Sequence, residues 1–162
     1  MNETNKSYII KFLIISSIFL FDQITKYYVV NFLKVQNHEI YLTSFLNIYL
    51  IWNNGIAFGL FGFEDQFFYN FITFSIIVVL IIILFVLVKT NDLQSYFYAM
   101  IFGGACGNLL DRLRFSSVPD FIDFHIHNFH WFIFNVADIF ITIGVIFMIF
   151  LELIDININK KS

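Results

Sequence analysis

Hydrophobic and polar positions fall in long blocks along this chain, at lengths suited to lipid rather than to a soluble core. The clearest block is Phe67 to Val88, FFYNFITFSIIVVLIIILFVLV, 22 residues without a charge. At 1.5 Å per residue, that length crosses a hydrocarbon core of roughly 30 Å. A first block, about Tyr8 to Val30, is interrupted near its end by Asp22 and Lys26. A third, about Leu93 to Leu110, carries Gly103, Gly104, Ala105 and Gly107, small residues that permit close helix contact. The fourth runs from about Phe132 to Ile154. The pattern predicts an all-α membrane protein: four transmembrane helices (about 8–30, 67–88, 93–110 and 132–154) in one domain over 1–162. Four spans put both termini on one side.

Two segments lie between the blocks on the other side. Asn31 to Gln66 is rich in β-formers and closes with the turn signal Asn53-Asn54-Gly55, which predicts a small extracytoplasmic β-cradle over about 31–66. Arg114 to Trp131, RFSSVPDFIDFHIHNFHW, mixes aromatic and polar groups, as an interfacial segment over about 114–131 would.

Composition agrees with lipid as the solvent: 59% hydrophobic, 13% charged, 24 Phe, one Pro and a mean hydropathy of +0.80. No basic patch suggests nucleic acid, and the lone Cys106 excludes an intrachain disulfide. Lys6 and Lys11 precede the apolar run FLIISSIFLF in the manner of a signal peptide. No small-x-small cleavage site follows, so the run is read as a retained first span. Lys6, Lys11, Lys89, Lys160 and Lys161 on one side face Lys26, Lys34, Arg112 and Arg114 on the other. The bias is small, and it places both termini and the Thr90–Asp92 turn in the cytoplasm.

The polar residues inside the spans gather at one level. Asp22 and Lys26 (i,i+4) end span one, and Asn108, Asp111 and Arg112 share a face at the end of span three. Asn135 and Asp138, three apart on a helix face, open span four. Structural roles are available to most of them: Asp22–Lys26 and Asp111–Arg112 as ion pairs, Asn108 and Asn135 as interhelical hydrogen bonds. Asp138 has no cation among its sequence neighbours, and an unpaired acid in lipid is costly. Asp120 follows Pro119, whose ring restricts the local backbone. If Asp120 folds back towards Asp138, two carboxyls share one site and their pKa values separate. Such a dyad suits peptide hydrolysis by an activated water, without metal or other cofactor. Asp123, three residues on, competes with Asp120 for this place.

Five motifs in order resemble lipoprotein signal peptidase, the bacterial membrane aspartyl peptidase family. They are DQITK (Asp22–Lys26), NNGIAF (Asn53–Phe58), GNLLDR (Gly107–Arg112), VPDF (Val118–Phe121) and FNVAD (Phe134–Asp138). The resemblance runs from about Tyr8 to Glu152. It implies that Asp120 and Asp138 are catalytic, and that Asn108, Arg112 and Asn135 support the dyad and contact substrate. Asp22, Lys26, Asn53, Gly55 and Asp111 fall in the same motifs. It further implies a diacylglyceryl-modified prolipoprotein substrate cut before its lipidated cysteine, a lipid environment, and inhibition by globomycin-type cyclic peptides. The implied location is the bacterial cytoplasmic (inner) membrane, with the active site near the outer leaflet. Three residues depart from the family's usual pattern: Pro119 for an aliphatic residue, Trp52 for Arg, and Cys106 for a small or aliphatic one.

Other chemistries have weaker support. His125, His127 and His130 form an H-x-H-x-x-H that could ligate zinc, yet no H-E-x-x-H helix is present. Cys106 has no His in its span to serve as a base. A small transporter or ion-binding protein could use Asp22, Asp111 and Asp138, but the chain shows no inverted repeat.

Overall fold

The computed structural model describes residues 3–36, 40–55, 66–127 and 129–159. Four long helices dominate: α1 Glu3–Gln36, α2 Gln66–Lys89, α3 Gln94–Phe115 and α4 Val136–Asn159. Three contain stretches long and apolar enough to cross a membrane, at Thr4–Leu33, Phe67–Lys89 and Val136–Ile154. Phe12, Phe67, Phe71, Phe74, Phe85 and Ile146 on these helices are more than half exposed, as lipid-facing side chains are. α3 is the centre of the bundle and packs against the other three helices.

Small residues set how close α3 comes to its neighbours. A Cβ on Gly103 would stand 2.9 Å from the Ile15 carbonyl oxygen of α1. One on Gly104 would stand 2.7 Å from the Ala137 carbonyl oxygen of α4. Both neighbours are backbone and cannot swing aside, so the glycines fix the helix spacing.

The remaining elements form one antiparallel sheet of four strands in the order β1-β2-β3-β4: Ile40–Tyr41, Leu46–Asn53, Val118–Ile126 and Phe129–Phe134. This corrects the expectation of two separate outer pieces. The segment expected to be interfacial, about 114–131, supplies β3 and the first half of β4, and β3 pairs directly with β2 through Ile51↔Asp120, Trp52↔Pro119 and Asn53↔Val118. The alternation in FIDFHI is a strand period, and Pro119 stands beside the first residue of its strand, where proline is tolerated. His127, with φ 54°, turns the chain from β3 to β4.

Helix ends differ from the expected spans as well. α1 continues through Asn31–Gln36, expected to open the cradle, because nothing in NFLKVQ stops a helix. α3 runs to Phe115 and stops where Ser116 adopts a left-handed φ of 54°. Phe132–Phe134, expected to begin the fourth span, belong to β4, and α4 starts only after Asn135. Parts of the expected cradle, 37–39 and 56–65 (including Ile56–Phe58 of NNGIAF), lie outside the described residues.

Burial is inverted relative to a soluble protein. Among the described residues, Lys11, Asp22, Lys26, Asp111, Arg112, Asp120, Asn135 and Asp138 are all buried, while large apolar side chains face outward. Most of these polar groups converge where the ends of α1 and α3 meet the start of α4 and the edge of β3.

Candidate active site

Lys26 organises the first layer. Its ammonium lies 2.7 Å from Asp22 Oδ2, 2.7 Å from Asp111 Oδ2 and 2.7 Å from Asn108 Oδ1. Asp22 Oδ1 also accepts the Ala137 backbone N–H at 2.9 Å, which ties α1 to the first turn of α4. Gln23 Nε2 donates to the Gly107 carbonyl at 3.3 Å and to Asp111 Oδ1 at 3.3 Å. A Cβ at Gly107 would overlap the Asp22 carboxylate, so the α1–α3 contact requires that glycine. The acid of GNLLDR therefore pairs with Lys26, correcting the suggested Asp111–Arg112 ion pair. Adjacent helical residues do not face each other. Arg112 instead donates through Nη2 to the Gly55 carbonyl, and Tyr69 OH donates to the Arg112 carbonyl at 2.9 Å.

The second layer holds the two acids of interest. Asn108 Nδ2 donates to Asp138 Oδ1 at 2.9 Å, linking that carboxyl to Lys26 through one side chain. Asn135 and Asp138 form a reciprocal cap on α4. Asn135 N donates to Asp138 Oδ2 at 3.1 Å, and Asp138 N donates to Asn135 Oδ1 at 3.2 Å. Asn135 thus stands at the N-cap and does not share a helix face with Asp138, correcting the expectation. Its amide nitrogen is left free to reach Asp120 Oδ1 at 2.6 Å, and Asn53 Nδ2 reaches Asp120 Oδ2 at 2.8 Å.

Asp120 and Asp138 are consequently held around one asparagine, 3% and 6% exposed. Burial pushes the Asp120 carboxyl up to about 7, and the negative charge of Asp138 pushes the same way. The bonds from Asn53 and Asn135 and the charge of Lys26 oppose this rise without cancelling it.

The competing acid points elsewhere. Asp123 lies an odd number of residues from Asp120 along β3, hence on the other sheet face. It accepts from Asn47 Nδ2 at 3.5 Å and lies 3.7 Å from His125 Nδ1. Among the described residues, no group of three His, Cys, Asp or Glu could hold a metal ion. The side chain of His130 is outside those residues.

A cavity of about 860 Å³ opens beside the Lys26 network, walled by Tyr27, Tyr28, Trp52, Phe115 and Pro119, with Lys26 and Asp111 among its lining. Pro119 and Asp120 are successive strand residues and face opposite ways, so this cavity lies behind the Asp120 side of the sheet. Trp52 packs edge-on against Phe115 there, ring centroids 5.6 Å apart.

Sequence reasoning missed Gln23, Tyr69 and the Ala137 N–H. Gln23 was inside a quoted motif and adjacent to Asp22. The cap had a readable signal too: Asn135-x-x-Asp138 is the N-cap-to-N3 spacing.

Comparison with known proteins agrees with this architecture. The family described as Signal peptidase (SPase) II matches residues 14–154. A lipoprotein signal peptidase of Pelagibacter ubique is 50% identical over 164 aligned positions, covering 100% of this chain and 98% of its own. One from Thermodesulfovibrio yellowstonii is 40% identical, covering 84% and 89%. A bacterial membrane enzyme solved by the in meso method superposes with a TM-score of 0.76 at 33% identity, covering 94% of this chain and 92% of that one. The chain therefore belongs to the signal peptidase II family of membrane peptidases.

Proposed function

We propose that Asp120 and Asp138 are the water-activating pair of an aspartic endopeptidase that cuts diacylglyceryl-modified prolipoproteins just before the lipidated cysteine. The observation that carries this is Asn135, which holds both carboxyls at once in a buried site. With its carboxyl raised to about 7, Asp120 is the acid assigned the shared proton near neutrality, which leaves Asp138 the role of base. Asp138 takes a proton from water as the water oxygen attacks the scissile carbonyl. Asp120 gives its proton to the carbonyl oxygen, which avoids a free oxyanion. When the tetrahedral adduct collapses, the proton on Asp138 passes to the departing amine and the gem-diol returns one to Asp120, so both acids regain their starting states.

Arg112 keeps Nε and Nη1 buried without a hydrogen-bond partner among the described residues. Both are donors available to a substrate backbone carbonyl, while Nη2 holds Gly55 in place. The Lys26 ammonium holds Asp22, Asp111 and Asn108 together, and its role is to fix Asn108 behind Asp138.

We place α3 as a fourth membrane crossing, since 22 helical residues span about 33 Å and the helix is enclosed by the other three. Both termini then face the cytoplasm, in keeping with Lys6, Lys11 and Lys89 at that end, and the dyad lies near the outer leaflet of the bacterial inner membrane. A lipidated cysteine is anchored at that depth, so the bond before it meets the dyad without leaving the bilayer. Bilayer lipid and a globomycin-type inhibitor are the further partners of this reading. Nothing supports the transporter alternative.

Incubating the purified protein with a diacylglyceryl-modified precursor and with the same precursor unmodified tests the proposal. Release of signal peptide from the lipidated form alone, blocked by globomycin, is expected. Equal cleavage of both forms, or of neither, contradicts it.

A further inference from the structure

At the end of the bundle opposite the dyad, the first turns of α1 meet the connection between α2 and α3. Lys11 is 1% exposed there, and its ammonium is bonded by three oxygens: Leu87 O at 3.0 Å, Thr90 O at 2.7 Å and Asn91 Oδ1 at 3.1 Å. All three acceptors are neutral, and no carboxylate is in direct contact with the Lys11 ammonium among the described residues. The acid acting on it from further off, Asp92, already receives the Ser95 N–H at 3.1 Å as a cap on α3.

Beside this charge is a cavity of about 350 Å³ lined by Thr4, Lys6, Ser7, Ile10, Asn91 and Tyr96. Ser7 is 8% exposed, and its hydroxyl has no hydrogen-bond partner among the described residues. A buried hydroxyl without such a partner is uncommon and is a group a ligand can satisfy. The amide oxygen of Asn91 is occupied by Lys11, which leaves its NH₂ as the half of that group unused among the described residues. Lys6 is exposed and forms no ion pair among the described residues. The polar groups on offer are therefore an ammonium, an amide NH₂ and hydroxyls, backed by the buried Lys11. That set suits an anion and repels a cation.

We propose that this pocket binds the phosphate headgroup of an anionic phospholipid from the leaflet opposite the dyad. Basic pockets between membrane helices commonly take such headgroups. The lipid source, rather than free phosphate, follows from the surroundings: Ile10 lines the pocket, and Ile9 and Phe12, 47% and 67% exposed, give acyl chains an apolar path along α1.

Native mass spectrometry of the full chain, released from detergent carrying either phosphatidylglycerol or phosphatidylcholine, tests this. The wild type is expected to retain one phosphatidylglycerol and to hold phosphatidylcholine no better than detergent. Lys6→Gln and, separately, Ser7→Ala are expected to weaken phosphatidylglycerol retention about tenfold, the loss of one charge-assisted or buried hydrogen bond. Lys6 is exposed, so its substitution leaves folding intact and keeps the test decisive even if Ser7→Ala unfolds. Retention equal in the wild type and Lys6→Gln, or equal for the two lipids, would overturn the proposal. Inorganic phosphate raising Tm as much as phosphatidylglycerol does would overturn the lipid assignment.

Discussion

Asn135 and Asp138 cap one another across the first turn of α4, through N–H to carboxylate at 3.1 Å and N–H to amide oxygen at 3.2 Å. A reciprocal cap of this kind ordinarily satisfies two orphan backbone donors and ends there. Here the cap's leftover NH₂ grips Asp120 at 2.6 Å, so the same residue that starts the helix also aligns the second acid.

Removing that side chain separates two effects. Asn135→Ala is expected to cost about 1 kcal/mol in stability as a lost cap. It should lower kcat about a hundredfold, because Asp120 loses its alignment. Thermal unfolding and steady-state cleavage on one preparation measure both. A normal kcat at reduced Tm would reduce Asn135 to a helix cap.

The proton on the pair should appear in the pH profile. Asp120 is held at about 7 against an ordinary 3.8, so the folded protein binds the proton more tightly than the unfolded chain does. Its contribution to stability is full below pH 4, declines between about 4 and 7 as the proton is lost, and is flat above. Activity that requires the shared proton falls about tenfold per pH unit above 7. Profiles of kcat/KM taken from pH 5 to about 9 would show this limb, and a rate still rising through pH 8 would contradict it.

Lys26 faces two buried acids, and its loss leaves them uncompensated. Lys26→Met is expected to destabilise the protein by about 3–5 kcal/mol. The triple variant that also carries Asp22→Asn and Asp111→Asn should recover most of that. Urea or thermal unfolding in detergent decides it. A Lys26→Met protein as stable as the wild type would mean that the three-way contact at 2.7 Å contributes little.

Gly104→Ala places a methyl group 2.7 Å from the Ala137 carbonyl, next to Asp138. α3 and α4 must then part, and both Tm and kcat should fall. Ala105→Gly on the same helix is the control for kcat, since it lowers helix stability without adding a clash. Comparable behaviour of the two variants would show that close packing at Gly104 does not position the site.

Much of this was legible in the chain. Runs such as Phe67–Val88 announce spans because lipid leaves a helix no alternative, and the i,i+4 spacing of Asp22 and Lys26 is local geometry. The polar clusters at three helix ends were visible as a shared level. What the sequence did not reveal was partner choice across elements. Asp111 pairs with Lys26, 85 positions away, rather than with adjacent Arg112, and that depends on how α1 docks on α3. Likewise VPDFIDFHI reads as a polar-aromatic surface segment until β2 supplies its hydrogen bonds, for pairing of distant strands leaves no mark in either alone. Asn135 looked like a helix-face residue because the chain is apolar on both sides of the boundary between β4 and α4.

The most direct test of the account is cleavage of a lipid-modified prolipoprotein by Asp120→Asn and by Asp138→Asn, each purified from membranes at wild-type yield. Both are expected to leave no detectable product while retaining a wild-type fold, with Asp123→Asn still active as the control on the neighbouring acid. Cleavage at near-normal rate by either of the first two would remove the pair from the chemistry.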